Sequence, residues 1–136
     1  MNLFRCLLLG SVILFGVSAR AEPTDAFAGT FHFDTEPKEN THKFWKQDGK
    51  YLYASCFGGK CSPNTQPARL LTEAEVSEWF LPSPRWKDIG SQGITVDGSG
   101  IILFFVARPD ERIKGWTQTN YVFRFWVIQG SAERVD

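Results

Sequence analysis

His42-Lys43-Phe44-Trp45-Lys46-Gln47-Asp48-Gly49-Lys50-Tyr51-Leu52-Tyr53-Ala54-Ser55-Cys56 decides how this chain is read. Two runs rich in aromatic residues flank Asp48-Gly49, the pair that a two-residue type I′ turn favours. The turn sets the register. Phe44 stands opposite Tyr53 and Lys46 opposite Tyr51, while Trp45 meets Leu52 on the other face. Both faces of the hairpin carry aromatic residues. One is core; the other is covered by a helix or open to a partner.

The same alternation continues outward. Gly29 to Asp34 places Phe31 and Phe33 on one face, the signature of a half-buried strand. Thr35 to Thr41 is a charged connection. Beyond the hairpin, Cys61 to Arg69 reads as loop from its Ser, Pro and Asn content. Leu71 to Phe80 reads as a short helix. Thr72 is its N-cap, Glu75 completes a capping box, and Leu71 with Val76 forms a hydrophobic staple. Pro82 and Pro84 stop it. Trp86 and Ile89 tack the following segment to the body. Ile94 to Val96 and Ile101 to Ala107 surround the turn Asp97-Gly98-Ser99-Gly100. The second run has no polar residue on either face, so it is a strand covered on both sides. Thr119 to Ile128 reads as one long strand, and Ser131 to Asp136 as a short edge strand or a loose tail. The fold class is α+β, mainly β: an antiparallel curled sheet or small half-open barrel of about six to seven strands with one short helix.

Residues 1–21 have the three parts of a secretory signal peptide: Arg5 in a short n-region, an apolar run from Leu7 to Val17, and Ser18-Ala19-Arg20-Ala21 as the cleavage site. Residues 22–136 are then a single exported β-rich domain starting at Glu22, periplasmic or secreted. Without Arg5 and Arg20 the domain keeps 13 basic residues against 15 acidic ones. That balance provides no field for nucleic acid. No second long apolar run exists, so stable membrane insertion after cleavage is not expected.

Cys6 leaves with the leader. Cys56 and Cys61 remain, as Cys-x4-Cys around Phe57-Gly58-Gly59-Lys60, and the oxidising compartment predicts a disulfide. The clamp shapes a short surface loop. His32, Asp34 and His42 are the one loose set of metal-ligand types. Their spacing reads as an exposed polar face, so neither a metal nor another cofactor is expected. A Ser–His–Asp set can be assembled only without a nucleophile elbow. The thiols, being paired, are no nucleophiles. No enzyme is predicted. Arg124 interrupts an apolar strand face, either paired with a helix carboxylate such as Glu75 or Glu78 or lining a pocket with Trp126.

The aromatic load points to binding. Tyr51, Tyr53, Phe57 and Trp116 are expected to be partly exposed and, with Lys60, to form a contact surface. The function expected is a small exported binding protein, an inhibitor or immunity-type protein. Its partner would be another protein of the cell envelope or a secreted toxin or hydrolase. The alternative is a small-molecule or glycan carrier with a pocket at Arg124 and Trp126. The Cys-x4-Cys loop directly after a strand, with Ser55 before it, is similar to the inhibitory loop of Ivy-type lysozyme inhibitors. The similarity spans about a dozen residues, at the level of one loop. The histidine those loops carry between the cysteines is replaced here by Phe57, Gly58, Gly59 and Lys60.

Overall fold

A computed structural model describes residues 25–136. The leader expected over residues 1–21, with the start at Glu22, lies outside them. The elements are β1 (Gly29–Phe33), β2 (Asn40–Gln47), β3 (Lys50–Phe57), β4 (Lys60–Cys61), β5 (Gln66–Leu70), α1 (Glu73–Trp79), α2 (Arg85–Asp88), β6 (Ser91–Val96), β7 (Ile101–Val106), α3 (Glu111–Lys114), β8 (Tyr121–Phe125) and β9 (Ile128–Arg134).

Every ladder is antiparallel, and β1 pairs with both β2 and β9. The sheet therefore closes into a barrel of 8 strands, with β4 a short extension of β3. The expected half-open barrel with one helix is corrected to a closed barrel with three short helices among the described residues. Closure comes from β9, in the region read as an edge strand or tail. Phe31 pairs with Arg134, and Phe33 with Ala132. Pairing the first strand with the last removes both sheet edges.

The β2–β3 hairpin has the predicted register: Phe44 opposite Tyr53, Trp45 opposite Leu52 and Lys46 opposite Tyr51. Asp48 and Gly49 take φ of 54° and 77°, the left-handed values a type I′ turn requires. Phe44 and Tyr53 face inward. Inside the barrel they join Phe31, Phe33, Ile94, Val96, Leu103 and Phe123, all essentially without solvent contact. Aromatic rings fill the space and pack edge-on or stacked, as for Phe33 on Phe123 at 4.3 Å.

The helices cover β6 to β8 from outside, not the Trp45/Leu52 face of the hairpin. Val76, Leu81, Trp86, Ile89 and Ile113 pack on Phe104, Val106 and Val122. This gives β7 its two apolar faces: Leu103 looks into the barrel and Phe104 out at the helices. Thr72 caps α1, and the capping box with Glu75 is complete. Arg69 grips the Glu75 carboxylate at 2.8 and 2.9 Å and brings that carboxyl down to about 2.

Two other sequence readings change. Gln66–Leu70 is a strand despite Pro67; it pairs with β3 through residues 66–68 and with β6 through residues 69 and 70. A strand that splits its pairing between two neighbours tolerates a proline better than a central one does. The run from 119 to 128 is not one strand. It breaks at Trp126 and Val127, the turn between β8 and β9, with Trp126 at a left-handed φ of 56°. Among the described residues no helix is long and apolar enough to cross a membrane.

Candidate functional site: the clamped rim of the barrel

Strands β1, β3, β6 and β8 run the same way, so their C-terminal ends form one rim. That rim carries the 34–39 connection, the clamped loop, the 97–100 turn and the 126–127 turn. The Asp48-Gly49 turn and residues 25–28 lie at the opposite end.

The clamped loop is built locally. Cys56 and Cys61 are bonded and stand opposite each other, and Phe57 pairs with Lys60. Gly58 and Gly59 turn the chain at φ of 57° and 84°, where a Cβ would be strained. The Gly58 amide donates to the Glu39 carbonyl at 3.0 Å, tying the loop to the neighbouring connection. Phe57 projects from this framework and is 65 % exposed.

Beside the loop is a cleft of about 410 Å³ lined by Glu36, His42, Ser55, Phe57, Lys60 and Ser62, among others. Its inner wall is a buried polar chain. His42 Nε2 lies 2.6 Å from Glu36 Oε1, and Nδ1 lies 2.7 Å from the Tyr53 hydroxyl. A carboxylate only accepts, so Nε2 carries the proton and donates to Glu36, while Tyr53 donates to Nδ1. The neutral imidazole is thus fully satisfied. Its ring also stacks on Phe33 at 4.0 Å. Burial holds His42 below the usual histidine range, although the Glu36 carboxylate pulls the other way. Burial, and then the Glu36 charge, push the Tyr53 phenol above its ordinary value.

His32, Asp34 and His42 do not converge. His42 points into the barrel and His32 out of it; they reach Glu36 at different atoms, His32 at the backbone carbonyl at 3.1 Å. Asp34 packs near Gly130, on another flank. Among the described residues no three His, Cys, Asp or Glu side chains are grouped to hold a metal ion. Both His42 nitrogens are engaged by Glu36 and Tyr53, so the imidazole is not bonded to Ser55 or Ser62. Glu36 is the member of the site that sequence reading missed. The period of β2 carried the signal for His42, since His42 and Phe44 share a face.

The predicted contact residues divide. Phe57 and Lys60 are exposed on the clamped loop. Tyr53 is not at the surface: it is 3 % exposed and belongs to the core, because the inward face of the hairpin takes it. Tyr51 is half-buried at the other end of the barrel, donating to Asp25 at 2.7 and 2.8 Å. Trp116 is half-buried against Phe80, with Arg112 over its ring at 4.9 Å.

Arg124 and Trp126 do not line the barrel interior; the cleft they share lies on its outer face. Arg124 lies on the outer face, donating from Nη1 to the Trp79 carbonyl at 2.9 Å and from Nε to the Trp126 carbonyl at 3.2 Å. Neither Glu75 nor Glu78 is its partner, since Arg69 already holds Glu75. A guanidinium on the last carbonyl of α1 complements the negative end of that helix.

Fold and site together define a closed, solid antiparallel barrel with a disulfide-clamped rim loop. No protein-family model matches this chain, and no curated protein and no solved structure shows significant similarity to it. The likeness to Ivy-type lysozyme inhibitors rests on the Cys-x4-Cys loop.

Proposed function

We propose that the chain is an exported protein that binds another protein through its clamped rim loop. It would act as an inhibitor of a cell-envelope or secreted hydrolase, or as the immunity partner of a secreted toxin. The observation that carries this reading is Phe57. It is a large apolar side chain held out to solvent on a loop closed by the Cys56–Cys61 bond. A loop fixed before contact loses little freedom on binding, and an aromatic anchor beside its turn is the kind of residue that carries contact energy. Lys60 stands opposite Phe57 and adds a charge suited to an acidic cleft. The disulfide agrees with an oxidising compartment. A barrel filled by its own side chains favours a partner at the rim over a ligand carried inside.

The test is the double substitution Phe57→Ala with Lys60→Ala, both cysteines kept. With a partner isolated from the envelope fraction, affinity should fall at least about tenfold, or 1.4 kcal/mol. Unchanged affinity, together with loss of binding on substitution of Arg124, would overturn the reading.

A further inference from the structure

We propose that a second site, independent of the clamped loop, binds a neutral sugar ring of a glycan in the cleft between α1 and the β8–β9 turn. The cleft measures about 310 Å³ and is lined by Trp79, Asp97, Gly100, Ile102, Arg124 and Trp126, among others. That volume is at the low end for ligand pockets and suits one ring with its neighbours in solvent.

Trp126 is the platform. Two-residue turns with left-handed backbone usually take Asn, Asp or Gly, and a Trp there is costly. Here its amide donates to the Gly100 carbonyl at 3.0 Å. Its indole lies against Gly100 so closely that a Cβ at that glycine would overlap the ring. One side of the indole therefore rests on backbone, and the residue is still 61 % exposed. A rigid, open indole fits the C–H face of a pyranose, and the apolar Ile102 and Trp79 extend the surface.

The polar groups fit the edge of such a ring. Arg124 is fixed by two carbonyls, and among the described residues its Nη2 donates to no protein group. Asp97 is held by Arg69 at 2.8 and 3.1 Å, with its side chain 69 % exposed. A carboxylate so held keeps accepting capacity for hydroxyl protons. One free donor edge and one free acceptor, of opposite charge, match a vicinal diol better than an ion of either sign.

The test is an amide-resolved NMR titration of the full exported protein with cellotetraose and, separately, chitotetraose. Saturable shifts are expected at residues 97–102 and 124–126, with Kd between about 10 μM and about 1 mM. Trp126→Asn keeps a residue that tolerates the left-handed turn but removes the ring, and should weaken binding at least about tenfold. Phe57→Ala should leave it unchanged. The proposal is overturned if neither saccharide gives a saturable shift up to about 10 mM. It is equally overturned if the shifts map to the clamped loop, or if Trp126→Asn binds with wild-type affinity. The wild-type shift map decides the matter even if the variant does not fold.

Discussion

The two ends of the barrel are finished in opposite ways. At one end the chain stoppers itself. Phe27 enters the core and the Tyr121 hydroxyl donates to the Ala26 carbonyl at 2.7 Å. Arg134 donates to the carbonyls of Asp25, at 3.1 Å, and of Ala28. Burial raises the Asp25 carboxyl, but the Tyr51 and Phe27 hydrogen bonds and the Lys46 charge outweigh it and lower it overall. At the other end the rim presents Phe57, Trp126 and Val127 to solvent, and Val127 is 91 % exposed. Exposed apolar residues are ordinary one by one; those of this rim stand in two separate turns, Phe57 on the clamped loop and Trp126 with Val127 on the β8–β9 turn. The comparison separates the residues that hold the fold from those left free for contact.

The contrast makes its largest prediction at a pair of phenylalanines. Phe27→Ala empties a buried ring site and should cost about 3–5 kcal/mol in urea unfolding. Phe57→Ala should stay within about 0.5 kcal/mol of wild type. Equal losses would mean that the rim loop is a structural part of the barrel.

A smaller effect is expected where the rim meets the core. Tyr53→Phe leaves buried Nδ1 of His42 without its donor and should cost about 1–3 kcal/mol. The same histidine sets a pH dependence. Its folded pKa lies below the unfolded value of about 6.5, so the unfolded chain takes the proton first. Its contribution is complete above that value and is lost as pH falls through it toward the folded pKa. Stability should therefore drop between about pH 7.5 and 5.5, and His42→Gln should shrink the drop. A wild-type protein that gains stability on acidification over that range would contradict the neutral, fully bonded imidazole.

Thr72→Ala should cost about 1 kcal/mol, since it removes a cap from an outer helix that seals neither end.

Local features were legible in the sequence, and distant ones were not. Asp48-Gly49 fixes the β2–β3 register because a two-residue turn leaves no slack. Thr72 and Glu75 announce α1 because capping is a contact of neighbours. The unbroken apolar run of β7 announces cover on both faces. Closure could not be read, because the β1–β9 pairing joins the first and last strands of the domain, and β9 is short of apolar residues apart from Ile128 and Ala132. Pro67 concealed β5, and the apolar Trp126-Val127 concealed a turn. At the site, Phe57, Lys60 and both cysteines were legible from the glycine pair and the cysteine spacing. Glu36 was not, since nothing local marks a turn carboxylate as the partner of a core histidine.

The difference between the ends is tested most directly by a photo-crosslinking side chain placed at Phe57 in one protein and at Lys50, beside the turn of the sealed end, in another. Both should be expressed in the native host and compared across the envelope and secreted fractions. A discrete protein adduct is expected from position 57 and none from position 50. An adduct from position 50 alone would contradict the assignment of the clamped rim as the contact surface.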